Sequence, residues 1–283
     1  MTDYVALIIA YRNSELVRHV LAQLVSQSTA PRLVVIVDNG GTLAEEQLHA
    51  WPCSDRTILV SRPNNPGYGA AVNEARDHLG KSALLVLTHD SEFGPELAEQ
   101  LLGELGADTR IGSVGPLLYR SSDRDRLFSA GGRLTPGGRG IHWDRALSAE
   151  PYRVDWLDGA IVMHSAEALE EIGWLAEEYF LYFEDVDTGW RMHAAGFRSL
   201  VVPQAIAYQE PGDHPPYLGI RNMTLFARRA SIPVLPHLAA VGSRVARESL
   251  SRVLRGKAPE LVSALRGWID GRAGMSGKPP HTP

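Results

Sequence analysis

The first hundred residues alternate between two hydrophobic periods, and that alternation restricts the fold more than any other feature of the chain. Tyr4–Tyr11 (YVALIIAY), Leu33–Asp38 (LVVIVD), Thr57–Ser61 (TILVS) and Ala83–Thr88 (ALLVLT) are short, β-branched apolar runs. Such runs suit strands buried on both faces. Between the first two, Leu16, Val17, Val20, Leu21, Leu24 and Val25 recur at helical spacing behind a cap signal at Asn13 and Ser14. A weaker helical pattern covers 43–51, and further helices are expected over 70–79 and 95–105. The order βαβαβαβα predicts an α/β domain with a doubly wound, mainly parallel sheet. Sheets of this kind take ligands beyond the carboxyl ends of their strands. The polar clusters of this chain fall at those ends: Tyr11–Asn13, Asp38–Gly41, Asn64–Tyr68 and His89–Glu92.

The pattern changes near residue 119. Residues 120–150 are glycine-rich without a helical period, which predicts irregular chain with one short strand near Leu127–Ala130. An extended stretch ends near Met163, and a short helix follows behind Ser165. A further helix is expected from about Asp185 to Ala195, then a strand at Arg198–Pro203. Residues 217–272 predict three helices broken near Pro233–Pro236 and Pro259. The organisation expected is two halves of one domain (1–118 and 119–230), a helical extension (231–272) and a disordered tail (273–283). In the second tail helix, Leu238, Val241, Val245, Leu250, Val253 and Leu254 are expected to pack on the sheet domain, with membrane contact as the other reading.

Composition narrows the function. Apolar residues at 44% and charged residues at 22% exclude a disordered or collagen-like chain. The single Cys53 cannot form an internal bridge and suits a reducing, cytoplasmic compartment. No apolar run reaches the ~20 residues of a membrane span, and no basic segment precedes the first apolar run, so no signal peptide is expected. From Arg228 onward, ten Lys/Arg face three Asp/Glu, a net +7, against −12 for the remainder. That balance does not suggest nucleic-acid binding.

Three stretches carry possible chemistry. FEDVD places Glu184, Asp185 and Asp187 at the start of a helix, preceded by the aromatic run YFLYF. Carboxylates there either cap the helix or, half-desolvated, accept a proton from a hydroxyl. In LLVLTHDSEF, Asp90 follows a buried strand with Glu92 two residues on. It is either a turn residue or an oxygen ligand for a divalent cation. In NNPGYGAAVN, Gly67 and Gly69 permit close backbone approach at a helix start, where a phosphate can dock. A dinucleotide fingerprint, a P-loop, HExxH, paired CxxC and GxSxG are all absent.

Taken in order, AYRNSE, VDNGG, NNPGYGAAVN, LLVLTHDSEF, WLDGAIV and FLYFEDVDTGWRMHAAGFR resemble the motifs of family 2 glycosyltransferases of the GT-A fold, nearest the rhamnosyltransferase-like branch, over about residues 4–230. The resemblance implies a GT-A-type sheet with a helical C-terminal extension. It implies that Tyr11, Asn13 and Asp38 line the nucleotide, and that Asn64, Gly67, Tyr68 and Asn73 pack against it. His89 and Asp90 would border the diphosphate, with Asp90 at the metal position and Mg²⁺ or Mn²⁺ as cofactor. Trp156, Asp158 and Gly159 would lie beneath sugar or acceptor. Glu184 and Asp185 would form the catalytic pair, with Asp185 as base, and Arg221 with Asn222 would help close the site. The implied reaction is inverting transfer from a dTDP- or UDP-linked sugar to an acceptor hydroxyl on a glycan, a lipid-linked saccharide or a natural product. Peripheral membrane contact and a homodimer stay open. Two departures stand out. Thr88-His89-Asp90 supplies one carboxylate where relatives carry more, and Gln209 occupies the usual histidine position, for which His214 could substitute. A catalytically impaired nucleotide-sugar-binding protein and a nucleotidyltransferase remain as alternatives.

Overall fold

The computed structural model describes residues 3–212 and 215–280. The expected His214 ligand lies outside the described residues. The elements run β1 (Tyr4–Ala10), α1 (Ser14–Val25), β2 (Leu33–Asp38), α2 (Glu45–Leu48), β3 (Thr57–Ser61), α3 (Tyr68–Asn73), α4 (Arg76–Leu79), β4 (Ala83–Thr88), β5 (Glu92–Phe93) and α5 (Leu97–Leu105). They continue with β6 (Ile111–Tyr119), β7 (Leu127–Ser129), β8 (Gly132–Leu134), β9 (Gly140–His142), β10 (Tyr152–Val154), β11 (Ile161–His164), α6 (Ala166–Glu171), α7 (Glu184–Ala194), β12 (Arg198–Tyr208), α8 (Pro216–Arg229), α9 (Val234–Leu254) and α10 (Leu261–Ala273).

The main sheet has the order β10-β12-β6-β11-β4-β1-β2-β3. Strands β4, β1, β2 and β3 are parallel, as is β12 beside β6, whereas β11 runs antiparallel between β4 and β6. The mainly parallel α/β architecture is as expected. Period-two alternation of β1 separates its side chains between two cores. Tyr4, Ala6 and Ile8 pack with Val17, Val20 and Leu21 of α1 and Leu101 of α5. Val5, Leu7 and Ile9 pack with Ala71 and Val72 of α3, Leu79 and Leu169. A third core joins Trp156, Phe183, Val186, Met223 and Phe226 between α7 and α8.

Several boundaries differ from expectation. The segment 120–150 holds three strands, not one, because Gly132–Leu134 and Gly140–His142 pair as a hairpin too short to show alternation. β12 runs past Pro203 to Tyr208, passing it at a register shift between Val202 and Ile206. The tail is not free over its described part: Gly277 N–H donates to the Glu178 carbonyl at 2.7 Å, and Pro279 is buried. Leu238, Leu250, Val253 and Leu254 are exposed, so they do not pack on the sheet domain as expected.

Candidate functional site

Register fixes a common edge. Ala10, Asp38 and Ser61 align at the ends of β1, β2 and β3, and Thr88 aligns with Ile9. The loops beyond touch one another. A Cβ on Gly40 would lie 2.8 Å from the Arg12 nitrogen, and one on Gly41 2.5 Å from Pro63 Cβ. Because β11 starts where β4 ends, residues 158–160 join this edge. Thr88 N–H donates to the Ala160 carbonyl at 3.0 Å, and Ala160 N–H donates to Asp158 Oδ1 at 2.9 Å.

Tyr68 connects that edge to α7. Its hydroxyl donates to the Gly159 carbonyl at 2.5 Å, and its backbone N–H donates to the Phe180 carbonyl at 2.8 Å. Burial raises the Tyr68 pKa first, and the charges of Glu184, Asp185 and Asp158 raise it further. Tyr68, Gly159 and Asp185 line one pocket. Tyr68 therefore sits with the carboxylates of Asp158, Glu184 and Asp185.

The loop before α7 is held in a demanding shape. Phe180, Tyr182 and Phe183 all have positive φ, between 66° and 81°. Residues of this size adopt that region only when their surroundings impose it. Asn222, fully buried on α8, supplies the restraint. Its Nδ2 donates to the carbonyls of Tyr179 (3.0 Å), Leu181 (2.8 Å) and Tyr182 (2.8 Å). Arg221 Nη2 donates to the Tyr179 carbonyl at 2.9 Å.

Glu184 and Asp185 then open α7. Glu184 is buried, and its Oε2 has no hydrogen-bond partner among the described residues. Burial, then the Asp185 charge, push its carboxyl up to about 8. Asp185 is half-buried at the pocket mouth. Burial, then the Asp158 charge, push it up to about 7, while backbone N–H groups at the helix start, Val186 among them at 2.7 Å, pull the other way. Two adjacent carboxyls in one low-dielectric mouth disfavour double ionisation. Asp187 has a separate task. Fully buried, it accepts from the Tyr179 hydroxyl at 3.1 Å and from Arg191 Nε at 2.6 Å, with Arg229 at 3.5 Å.

Several expected site residues are placed elsewhere. Asp38 is buried and accepts from the backbone N–H groups of Gly40, Thr42 and Leu43, so it shapes its own turn. Asn13 caps α1 by accepting from Leu16 N–H at 3.2 Å. Asn73 bonds Leu175 through both N–H and carbonyl, and with Asn64 lines a separate polar pocket of about 410 Å³ beside Arg62 and Glu177. Gly67 and Gly69 do permit close approach, but to protein: a Cβ on each would meet the carbonyls of Phe180 and Ala176 at 2.2 and 2.6 Å. Trp156 is buried against Gly132 and Gly189, which makes it a wall behind the site. Arg221 is 1% exposed and serves backbone carbonyls, so it is not an acceptor-binding residue.

His142 was not anticipated. Its Nε2 lies 3.8 Å from Asp158 Oδ2, and its Nδ1 is 2.9 Å from Ser129 Oγ. Burial lowers its pKa, with Asp158 opposing. The only sequence signal was its place in GRGIHW, inside a segment read as irregular. Behind Asp185 the pocket is lined by Ser113, His164, Thr188 and Ser199, and burial lowers His164 to about 4.

At the other end, Tyr11 and His89 flank the β1 and β4 termini, His89 Nδ1 lying 3.3 Å from the Ile9 carbonyl. Gln209 Nε2 donates to Asp90 Oδ2 at 3.2 Å, because β5 pairs with the end of β12 and brings the two together. Glu92 is ion-paired to Arg124. Among the described residues no group of three or more His, Cys, Asp or Glu side chains converges as a metal cage. One carboxylate and one amide carbonyl are oxygen donors of the kind Mg²⁺ or Mn²⁺ accepts when phosphate oxygens complete the shell.

Comparison with known proteins gives a consistent result. A family model described as "Glycosyltransferase like family 2" matches residues 2–228. The N-acetylglucosaminyl-diphospho-decaprenol L-rhamnosyltransferase of Mycobacterium tuberculosis is 30% identical over 237 residues, covering 72% of this chain and 75% of that protein. The low-salt glycan biosynthesis hexosyltransferase Agl10 of Haloferax volcanii is 25% identical over 201 residues, covering 68% of this chain and 62% of that protein. Among solved structures, S. aureus TarS 1–349 in complex with UDP-GlcNAc superimposes with a TM-score of 0.63 at 15% identity, covering 96% of this chain and 81% of TarS 1–349. GalNAc-T7 with UDP, GalNAc and Mn²⁺ gives 0.64 at 14% identity, covering 81% of this chain but only 48% of GalNAc-T7.

Proposed function

The chain belongs to the glycosyltransferase-like family 2, and from that membership we propose that it is an inverting transferase moving a sugar from a dTDP- or UDP-linked donor to an acceptor hydroxyl. The observation that carries the reading is the position of Asp185: half-buried, beside Asp158 and Tyr68, at the carboxyl edge of the parallel strands. The name of the Mycobacterium tuberculosis relative favours a deoxyhexose such as L-rhamnose as the sugar and a lipid-linked saccharide as the acceptor.

In this reading Asp185 takes the proton of the acceptor hydroxyl. The oxygen bonds to the anomeric carbon as the bond from that carbon to the diphosphate breaks. The electron pair leaves with the nucleoside diphosphate, and the configuration inverts. A base whose pKa sits near neutrality combines ionisation with proton affinity. Glu184, more enclosed, carries a proton at neutral pH and limits repulsion at Asp185. Asp158 adds negative charge beside the positive character that develops on the sugar ring. Tyr68 fixes the Gly159 carbonyl and thereby the Asp158 turn. Asp90 would hold a divalent cation, with the Gln209 amide turned over so that its oxygen in place of Nε2 faces Asp90; when bound, the cation would neutralise charge on the departing diphosphate.

The test is Asp185→Asn. Transfer should fall by roughly 10²–10⁴, while stabilisation by the nucleotide persists. Unchanged transfer in a folded variant would remove Asp185 as the base. The lone Asp90 carboxylate favours a second reading, a binding protein without catalysis. Donor binding by the unaltered chain with no transfer to any acceptor would support it.

A further inference from the structure

Helix α9 packs Ala240 and Val241 on the third core but leaves most of its large aliphatic side chains outward and several polar ones inward. The side turned to the protein carries His237, Arg244 and Arg252: His237 is buried, Arg244 donates to the Gly219 carbonyl and pairs with Glu248, and Arg252 pairs with Glu260. The side turned outward carries Leu235, Leu238, Leu250, Val253 and Leu254, with Leu235 and Leu254 each 78% exposed. α10 repeats the arrangement. Gly267 and Gly271 press against Tyr217 and Arg221 of α8, while Leu261, Val262, Leu265 and Ile269 face outward. Nine large aliphatic side chains on two consecutive helices exceed the scattered apolar exposure normal for a surface.

The charges beside them are of one sign. The three acids between 234 and 275 are already engaged: Glu248 and Glu260 by arginines, and Asp270 by the Tyr217 hydroxyl. Arg247, Arg255, Lys257 and Arg266 are exposed, and no ion pair is formed by them among the described residues. A two-fold pairing of this face with itself would set these cations against one another. Aliphatic side chains ringed by unpaired cations match an anionic interface with an apolar interior. No helix among the described residues is long and apolar enough to cross a membrane.

We propose that the outward faces of α9 and α10 form a docking surface for an anionic lipid bilayer, with the aliphatic side chains entering the headgroup region and the cations engaging lipid phosphates. The surface connects to the site. Gly137, at the tip of the β8–β9 hairpin, sits against Pro236 and Ala240 of α9, and the same hairpin ends at His142 beside Asp158. Docking would hold the acceptor side of the pocket near the lipid surface. The proposal deepens the lipid-linked-acceptor reading, and its test measures binding without transfer, so the two can fail separately.

The experiment is co-flotation of the full chain with vesicles of phosphatidylcholine and phosphatidylglycerol in equal parts, against phosphatidylcholine alone, at low and high salt. Enrichment on the anionic vesicles that salt weakens is the expected result. The variant Arg255→Gln/Lys257→Gln/Arg266→Gln should bind roughly a hundredfold more weakly, at about fivefold per cation. The variant Leu235→Ser/Leu254→Ser/Leu265→Ser should lose enrichment by more than a hundredfold. All six positions are exposed, and nucleotide-induced thermal stabilisation reports that each variant is folded. Absence of enrichment for the unaltered chain would overturn the proposal, as would equal enrichment of the serine variant. A solution dimer split by the serine variant, with no vesicle binding, would instead assign this face to a second copy.

Discussion

The side-chain amide of Asn222 lies 2.8 Å from the carbonyl oxygen of Tyr182, two residues ahead of Glu184. One Nδ2 thereby restrains a loop in which Phe180, Tyr182 and Phe183 all take positive φ. Asn222→Leu keeps the volume and removes the donors. It should destabilise the protein by about 2–4 kcal/mol, from buried carbonyls left unpaired and backbone strain no longer held. Transfer should drop further than the unfolded fraction explains, because Asp185 moves with the loop. Thermal unfolding and transfer rate, measured at a temperature where the variant is folded, check this. An unchanged rate would show that α7 sets Asp185 without the clamp.

The raised carboxyls predict the pH response. Asp185 near 7 must be ionised to act as base, so kcat/KM should fall as pH drops through about 7. Stability should run the other way. A carboxyl whose folded pKa exceeds its unfolded value near ~4 binds more protons when folded. Its stabilising protonation is complete below that unfolded value and lost as pH climbs toward 8, where Glu184 also ionises. Glu184→Gln should therefore flatten the decline in melting temperature between pH 5 and pH 8. A parallel decline in the variant and the parent would contradict the shift assigned to Glu184.

The sequence revealed the sheet because each early strand is a short apolar run and each helix declares its own period. It singled out Glu184 and Asp185 because carboxylates beside YFLYF are costly unless paired or used, and the structure places them at the start of α7, Glu184 buried and Asp185 half-buried. It did not show where other polar groups point. Asp38, Asp187 and Arg221 read as surface or site residues, yet each is buried among partners distant in sequence or in its own turn. Gly67 and Gly69 announce close approach without naming what approaches, which proves to be the backbone of 176–180. The period of α9 is visible, but periodicity cannot say which face turns inward, and here His237, Arg244 and Arg252 turn inward beside Ala240 and Val241 while most of the large aliphatic side chains turn outward.

The segment after α10 makes a distinct prediction. Arg221 Nη1 donates to the Gly277 carbonyl at 2.8 Å, and Gly277 N–H donates to the Glu178 carbonyl. Ending the chain at Gly274 would leave a buried guanidinium short of a partner at the root of the loop that precedes α7. About 1–3 kcal/mol should be lost, lowering the melting temperature by roughly 2–10 °C. An unstructured tail would leave it unchanged, so calorimetry of the shortened chain separates the two.

Asp90 should bind a cation only together with the nucleotide. Glu92, the next carboxylate along the chain, is ion-paired to Arg124, and Gln209 supplies an uncharged amide where a second ligand would sit. One carboxylate gives a divalent cation little reason to leave water, whereas diphosphate oxygens add both ligands and charge. Mn²⁺ alone should therefore leave the melting temperature almost unmoved, and UDP or dTDP should stabilise through linkage. Mn²⁺ added with the nucleotide should stabilise further, and a chelator should reverse only that increment. Asp90→Asn should erase the increment while keeping the nucleotide's own effect. Gln209→Glu, which adds a charge beside Asp90, should lower the half-saturating Mn²⁺ concentration about tenfold, an energy near ~1.4 kcal/mol. If Asp90→Asn keeps the full Mn²⁺ increment, the cation is held elsewhere and the Asp90–Gln209 pair is structural.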